Sequence, residues 1–175
     1  VKELIKRAAQ WKHPAIAITD HGGVQAFPDA CQAAREYGIK VIYGMEAYLV
    51  EADKKERPYH VILLARNLEG LKNLYRLVSL SYLDYFYRHP KIPRYLLEKY
   101  RDGLFLGTAC QAGELYQAFL NGLEEEEIIR IAEFYDYLEI QPISNNEFLL
   151  RDNRVDSIEQ LKKINRDIFN LGLRL

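Results

Sequence analysis

The sequence predicts an α/β protein with a parallel or mostly parallel sheet. Short apolar runs alternate with segments whose apolar residues recur at helical spacing. The run at residues 16–18 leads abruptly into Asp20-His21-Gly22-Gly23, which is typical of a buried strand that ends in a sharp turn. No glycine-rich phosphate loop follows any strand, so Rossmann and P-loop folds are disfavoured. A barrel and an open doubly wound sheet both remain compatible with the pattern.

The elements follow from periodicity and from residues that break it. His13-Pro14 ends the first predicted helix, Gly38 ends the second, and Ser157 caps the last with Gln160 at the capping-box position. Helices are predicted at residues 1–12, 25–37, 68–83, 93–100, 114–120, 124–134 and 157–171. Strands are predicted at residues 15–19, 39–50, 60–65, 104–107 and 137–141. The segments 51–58, 84–93 and 145–156 are predicted to be loops, the first of them a charged connector.

Composition sets limits on the class of protein. The chain of 175 residues is long enough for one domain with a sizeable core, and its net charge of −1 does not by itself indicate nucleic-acid binding. Cys31 and Cys110 are too few for a disulfide framework, which favours a reducing compartment and a cytoplasmic protein. There is no signal peptide and no apolar run long enough for a membrane span.

Four residues at or near four predicted strands are candidate metal ligands: His21, Glu46, His60 and Cys110. Imidazole, carboxylate and thiolate groups bind zinc and similar metals. One ligand per strand is unlike a zinc finger and resembles a catalytic site at one end of a sheet. Asp20 should point away from its neighbour His21 on an extended backbone, where it could orient another group.

Each candidate also has a purely structural explanation. Asp20 could cap the next helix, Glu46 could be a buried carboxylate with a partner, and Cys110 could be a small core residue. His60 begins its strand, which fits poorly with a site at the carboxyl ends. His13 and His89 precede prolines and are predicted to be loop residues, and Cys31 is predicted to lie in the core. The aromatic and basic segment 85–91 could contact DNA or another domain, and we favour the domain contact.

Several motifs together resemble a known family. Residues 15–22 (AIAITDHG) and 41–47 (VIYGMEA) are similar to the PHP (polymerase and histidinol phosphatase) domain. Residues 59–67 and 107–114 resemble the PHP domain of bacterial replicative polymerases. Their sequences are most similar to those of the PolC-type DNA polymerase III alpha subunits. The resemblance covers essentially the whole chain.

The resemblance implies a distorted seven-stranded β/α barrel, similar to a TIM barrel, with a cluster of up to three metal ions. The family's ligands correspond to His21, Glu46, His60 and Cys110, with Asp20 a less certain member of the same motif. Glu46 and Asp20 are the expected catalytic residues. The expected cofactors are zinc or manganese, with iron as an alternative, and magnesium for the parent polymerase.

The resemblance also implies a function for the parent protein. We expect residues 1–175 to be part of the PHP domain of a replicative DNA polymerase, supporting the polymerase core and contributing metal-dependent 3′–5′ proofreading. Expected partners are DNA, the other polymerase domains and replisome subunits, and no membrane. The family's first and last metal motifs would lie outside the chain, so this chain alone is expected to be inactive. The segment 51–58 corresponds to the family's exonuclease insertion point. A stand-alone phosphoesterase acting on a substrate such as histidinol phosphate and a metal-free scaffold are the alternatives.

Overall fold

The structure is a computed structural model that describes residues 1–175 as six strands and nine helices. The strands are β1 Ala15–His21, β2 Lys40–Val50, β3 Tyr59–Ala65, β4 Phe86–Tyr87, β5 His89–Pro93 and β6 Leu104–Gly107. The helices are α1 Lys2–Gln10, α2 Phe27–Tyr37, α3 Leu68–Leu83, α4 Arg94–Lys99, α5 Glu114–Leu120, α6 Glu125–Ala132, α7 Ile143–Asn146, α8 Phe148–Arg151 and α9 Ile158–Arg174. None of the helices is both long and apolar enough to cross a membrane.

The strands form one sheet in a mixed α/β fold. The order is β4-β5-β2-β3-β6, and β1 also pairs with β2. β1 is parallel to β2 from Ala15↔Lys40 to His21↔Glu46, and β5 is parallel to β2 from Tyr48↔Lys91 onwards. β1 and β5 therefore pair with successive parts of β2. The predicted parallel pairing is confirmed for these strands, whereas β4 and β5 are antiparallel.

The connection between β2 and β3 fixes their relative direction. The two strands are neighbours in the sheet and are joined only by residues 51–58. A parallel connection needs a crossover of about a dozen residues or more, so β3 runs antiparallel to β2. Strand β3 therefore begins beside the end of β2.

The chain divides into two compact units, and the first comprises residues 1–58 and 62–105. Its helices α1 and α2 pack together, α2 packs on β2, and α3 and α4 pack on β5. The apolar stripes of these helices bury Ile5, Leu74, Leu77 and Leu97, and the sheet contributes Met45. The amphipathic pattern of the sequence therefore predicts this core.

A close approach fixes the start of α3 in the first unit. The Asn67 side chain accepts a hydrogen bond from the Gly70 N–H at 2.9 Å, which caps the helix. Gly70 packs so tightly on Gly103 that a Cβ there would overlap the Gly103 carbonyl. The Asn73 amide donates to the Asp102 carbonyl at 2.9 Å. These contacts hold α3 against the turn that precedes β6.

The second unit comprises residues 59–61 and 106–175. Helix α5 packs on α6 and α9, and α7 packs on α8 and α9. Leu115, Leu149 and Leu161 are fully buried among these helices. Ser157 caps α9 by accepting a hydrogen bond from the Gln160 N–H at 3.3 Å, as the capping-box spacing predicts.

The prediction of a loop at residues 84–93 is wrong, because this segment contains the hairpin β4–β5. Phe86 pairs with Pro90 and Tyr87 with His89, so Arg88 alone forms the tip. Arg88 adopts the left-handed conformation with φ of 63°. The hairpin lacks the Asn-Gly or Asp-Gly signature of common tight turns, so the sequence gives little local signal for it.

The predicted strand at residues 137–141 is also wrong. Only Tyr137 forms a bridge, to Gly107. Side chains replace the remaining ladder: the Asp136 carboxylate accepts the Leu106 N–H, and the Thr108 hydroxyl accepts the Glu139 N–H, both at 2.8 Å. The predicted loop at 145–156 contains the end of α7 and all of α8.

Candidate metal centre

His21 and Glu46 are brought together by the register of two parallel strands. Both are the last paired residues of the β1–β2 ladder, and the backbone N–H of Gly22 donates to the Glu46 carbonyl at 2.8 Å. The His21 Nδ1 atom lies 3.6 Å from a Glu46 carboxylate oxygen. The imidazole is largely exposed, whereas only 18% of the Glu46 side chain is exposed. The mostly buried Glu46 carboxylate thus lies beside the accessible His21 imidazole.

Asp20 occupies the neighbouring position of β1 with a different partner. Its register partner is Met45, which is buried, and successive strand residues point to opposite faces. Asp20 and His21 both belong to β1, so the strand alternation from which their opposite orientations were predicted applies to them. It is therefore placed as a neighbour of the His21–Glu46 pair and not as a third member on the same face.

His60 and Cys110 are brought together in the second unit. The Cys110 sulfur lies 3.5 Å from His60 Nδ1. The backbone supports this pair, because the His60 N–H donates to the Ala112 carbonyl at 3.0 Å. Ala109 has a φ of 58°, so the chain turns sharply just before the cysteine. The thiol and the imidazole therefore share one small site.

Both pairs fit the distances expected around a metal ion. Ligand atoms about 2.0 to 2.3 Å from a tetrahedral metal are roughly 3.3 to 3.7 Å from each other. The 3.6 Å separation of His21 and Glu46 is too long for a good hydrogen bond but falls in this range. The Cys110–His60 separation of 3.5 Å falls there too. Nitrogen, oxygen and sulfur donors together suit zinc and related divalent ions.

Sequence reasoning missed two rings beside the first pair. Tyr48 stacks on His21 with ring centroids 6.4 Å apart, and His89 stacks on Tyr48 at 4.7 Å with an interplanar angle of 27°. Burial first, and the Glu46 carboxylate second, raise the pKa of the Tyr48 phenol. The signal for Tyr48 was its i+2 spacing from Glu46, which puts both on one face of the strand. His89 carries no such signal, since its strand was predicted to be a loop.

Lys91 is a buried residue of β5 that lies beside Tyr48 in the sheet. It is 3% exposed and is the register partner of Tyr48. Its ammonium donates to the Glu56 carbonyl, and burial lowers its pKa. The Lys91 ammonium also lies 5.5 Å from the centre of the Tyr87 ring.

Comparison with known proteins identifies the family. The family model described as "PHP domain" matches residues 1–142, which is most of the chain. The chain belongs to the PHP domain family. The match includes the strands that carry His21, Glu46 and His60, and the turn that carries Cys110.

Relatives of this PHP domain are DNA polymerases III of the PolC type. A "DNA polymerase III PolC-type" of Clostridium perfringens is 52% identical over 128 residues, covering 73% of this chain and 9% of that protein. The protein of the same description from Caldanaerobacter subterraneus subsp. tengcongensis is 45% identical over 151 residues, covering 85% of this chain and 11% of that protein. The one from Bacillus cereus is 47% identical over 163 residues, covering 91% of this chain and 11% of that protein. The PHP chain thus spans about a tenth of the length of these relatives.

Proposed function

We propose that this chain is a PHP domain of a PolC-type, DNA-directed DNA polymerase and that it binds divalent metal ions for phosphodiester hydrolysis. The supporting observation is the His21–Glu46 pair, whose 3.6 Å separation suits a shared ion and not a hydrogen bond. We include His60 and Cys110 in the same ligand set because they form a second pair with suitable donors. In this proposal the domain supports the polymerase core and contributes 3′–5′ proofreading.

The proposed domain extends through the whole chain. The family match ends at residue 142, and residues 143–175 continue the second compact unit through α7, α8 and α9. We propose that the full set of strands in the family forms a distorted seven-stranded β/α barrel similar to a TIM barrel. The connector 51–58 lies at the position proposed for the inserted exonuclease, where a solvent-exposed loop can accept a long insertion.

The proposed chemistry assigns a role to each residue. Divalent metal ions held by these residues would supply two effects, a lowered pKa for a bound water and positive charge beside a phosphoryl group. Glu46 offers two carboxylate oxygens and can therefore bridge two sites, while His21 and His60 each offer one ring nitrogen. Cys110 would hold a metal ion as the thiolate, a soft donor that favours zinc over harder metals. Asp20 orients a neighbouring ligand or water from the adjacent strand position.

The proposed cofactors and partners follow from these donors and from the relatives. Zinc suits the thiolate and imidazole groups, manganese or iron suits the carboxylate, and magnesium would serve the polymerase. DNA, the remaining polymerase domains and other replisome subunits are the proposed partners, with a cytoplasmic location. Names of the relatives support polymerase membership over a stand-alone phosphoesterase.

Metal binding by the chain tests the proposal directly. The chain is stripped with EDTA, titrated with Zn²⁺ or Mn²⁺ in a calorimeter, and its bound metal is counted by mass spectrometry. Glu46→Gln should weaken binding about tenfold or more, because it removes the charge of a ligand. Glu69→Gln, an exposed carboxylate on α3 paired with Lys72, is the matched control and should bind as the wild type does. Failure of the wild-type chain to bind either metal would favour a metal-free scaffold.

A further inference from the structure

The end of β1 meets the start of β5 beside the His21–Glu46 pair. Strand β1 pairs with β2 as far as Glu46, and β5 pairs with β2 from Tyr48 onwards. A Cβ on Gly22 would lie 2.7 Å from the Pro90 ring and 3.3 Å from the Tyr48 ring. Glycine permits both this approach and the φ of 62°, because it has no side chain. The turn that follows His21 is therefore packed directly against β5.

Tyr48 contacts two imidazoles at this junction. The His21 and Tyr48 rings have centroids 6.4 Å apart and an interplanar angle of 22°. His89 stacks on Tyr48 with centroids 4.7 Å apart and an angle of 27°. Nearly parallel, offset rings at such separations attract each other. Tyr48 is half-buried, whereas 64% of the His21 side chain is exposed, so a confined ring lies alongside an exposed one.

The exposed imidazole of His21 needs a fixed direction to act as a metal ligand. Its Nδ1 atom lies 3.6 Å from the Glu46 carboxylate, a separation that suits two ligands of one ion. A largely exposed side chain can rotate away from this direction, and fixing it when an ion binds costs free energy. A ring packed alongside removes part of that cost in advance. Tyr48 is placed to do so, because it lies two residues after Glu46 on the same face of β2.

We propose that Tyr48 is a positioning residue of the metal centre, whose ring holds the His21 imidazole in the direction that lets His21 and Glu46 bind one ion. His89 restrains the Tyr48 ring by stacking on it, and Pro90 keeps the turn after β1 in place. The inference rests on the proposed metal binding and adds residues that are not ligands themselves. If Tyr48 only filled space, an aliphatic side chain of similar size would serve equally well.

Tyr48→Phe and Tyr48→Leu separate the role of the ring from the space that it fills. The chain is stripped with EDTA and titrated with Zn²⁺ in a calorimeter, after circular dichroism has shown that each variant is folded. Phenylalanine keeps the ring, so Tyr48→Phe should bind Zn²⁺ as the wild type does. Tyr48→Leu should weaken Zn²⁺ binding roughly 2- to 12-fold, the effect of losing one aromatic pair.

Tyr43→Leu is the matched control on the same strand. Tyr43 is also half-buried, and its ring packs edge-on against Phe27 with centroids 4.8 Å apart. Its replacement should lower the stability of the chain, as Tyr48→Leu does. It should leave Zn²⁺ affinity unchanged, because strand alternation puts Tyr43 on the opposite face of β2 from Glu46.

His89→Ala tests the restraint on the Tyr48 ring. His89 is exposed in the β4–β5 hairpin, so the variant should remain folded. It should weaken Zn²⁺ binding by less than Tyr48→Leu, because the contact between His21 and Tyr48 is retained. The number of ions bound at saturation should be the same in both variants as in the wild type, since neither residue is a ligand. Unchanged affinity in His89→Ala would remove His89 from the proposal.

Nuclear magnetic resonance gives a readout that requires no metal. An aromatic ring shifts the resonances of protons that lie close to it. In the EDTA-stripped chain, the ring-proton resonances of His21 should therefore move in Tyr48→Leu and stay in place in Tyr43→Leu. Tyr48→Phe should leave them close to their wild-type positions.

The outcomes separate the positioning role from the proposed function. A wild-type chain that binds neither Zn²⁺ nor Mn²⁺ would contradict the proposed function and this role with it. If the wild type binds Zn²⁺ and Tyr48→Leu binds it equally well, only the positioning role is overturned. The same holds if Tyr43→Leu loses as much affinity as Tyr48→Leu. Loss of affinity in Tyr48→Phe would also overturn the role of the ring, because that variant lacks only the hydroxyl group.

Discussion

The sulfur of Cys110 lies 3.5 Å from Nδ1 of His60, and the two residues are held there by the backbone bond from His60 to Ala112. The contact joins the softest donor of the proposed site to a nitrogen donor. A thiolate and an imidazole at this separation favour zinc over harder ions. The identity of the metal should therefore depend on this sulfur.

Cys110→Ser should change metal preference as well as metal affinity. We expect Zn²⁺ affinity to fall about tenfold or more and Mn²⁺ affinity to fall less, because serine keeps a hard oxygen but removes the soft sulfur. With Co²⁺ as a spectroscopic probe, the wild-type chain should show a near-ultraviolet band from thiolate to metal.

Cys31→Ser provides the control for that experiment. Cys31 lies on α2 and is the other free cysteine of the chain. The Co²⁺ band should persist in Cys31→Ser and disappear in Cys110→Ser. A band that survives in Cys110→Ser would remove Cys110 from the ligand set.

Local pattern was sufficient where an element carries its own signal. The bounds of α3 were predicted as observed from the leucines that repeat along one face, and the structure adds Asn67 as its cap. Strand β1 was predicted to end at Thr19, yet it continues through Asp20 and His21 because both pair with β2. Pairing partners that are distant in sequence decide such ends, and a single sequence does not display them.

The sequence indicates which residues are candidate ligands, but not which of them lie close together. His60 fits poorly with a site at the ends of strands only when every strand is parallel, whereas the short connector makes β3 antiparallel to β2. Residues 137–141 alternate like a strand, but side chains of Asp136 and Thr108 take the hydrogen bonds that a partner strand would make. Side-chain competition of this kind depends on tertiary structure.

Thr108→Val should destabilise the chain measurably. The Thr108 hydroxyl is buried and accepts the Glu139 N–H at 2.8 Å, so valine would leave that donor without this partner. The loss should cost about 1 to 3 kcal/mol in the free energy of unfolding. Thr19→Val, at a half-buried position of β1, is the matched substitution and should change the free energy of unfolding by less than about 0.5 kcal/mol. Urea denaturation of both variants would check this, and equal effects would contradict it.

Lys91→Met should alter how stability depends on pH. Burial lowers the pKa of Lys91 below its ordinary 10.5, so the folded chain loses this proton more readily than the unfolded chain. Between the two values the unfolded chain binds more protons, and the stability of the wild type rises with pH. Below the folded value the penalty for the buried charge is constant. From pH 7 to pH 10, the free energy of unfolding of the wild type should therefore increase relative to that of Lys91→Met. If the difference in stability between the two proteins is the same at both pH values, that would argue against a lowered pKa of Lys91.

Gly70→Ala should reverse the usual benefit of replacing a helical glycine. Alanine favours helices by up to about 1 kcal/mol over glycine, but a methyl group at residue 70 would overlap the Gly103 carbonyl. The methyl group would push α3 away from the turn at Gly103, which should lower the free energy of unfolding by roughly 3 kcal/mol, as overpacking does in other cores. Gly172→Ala on α9 is the matched control, because its nearest neighbour would be a Leu138 methyl at an ordinary 3.5 Å. Urea denaturation should show Gly172→Ala equal to or more stable than the wild type and Gly70→Ala clearly less stable. Similar stability of the two variants would mean that the approach of Gly70 to Gly103 does not constrain α3.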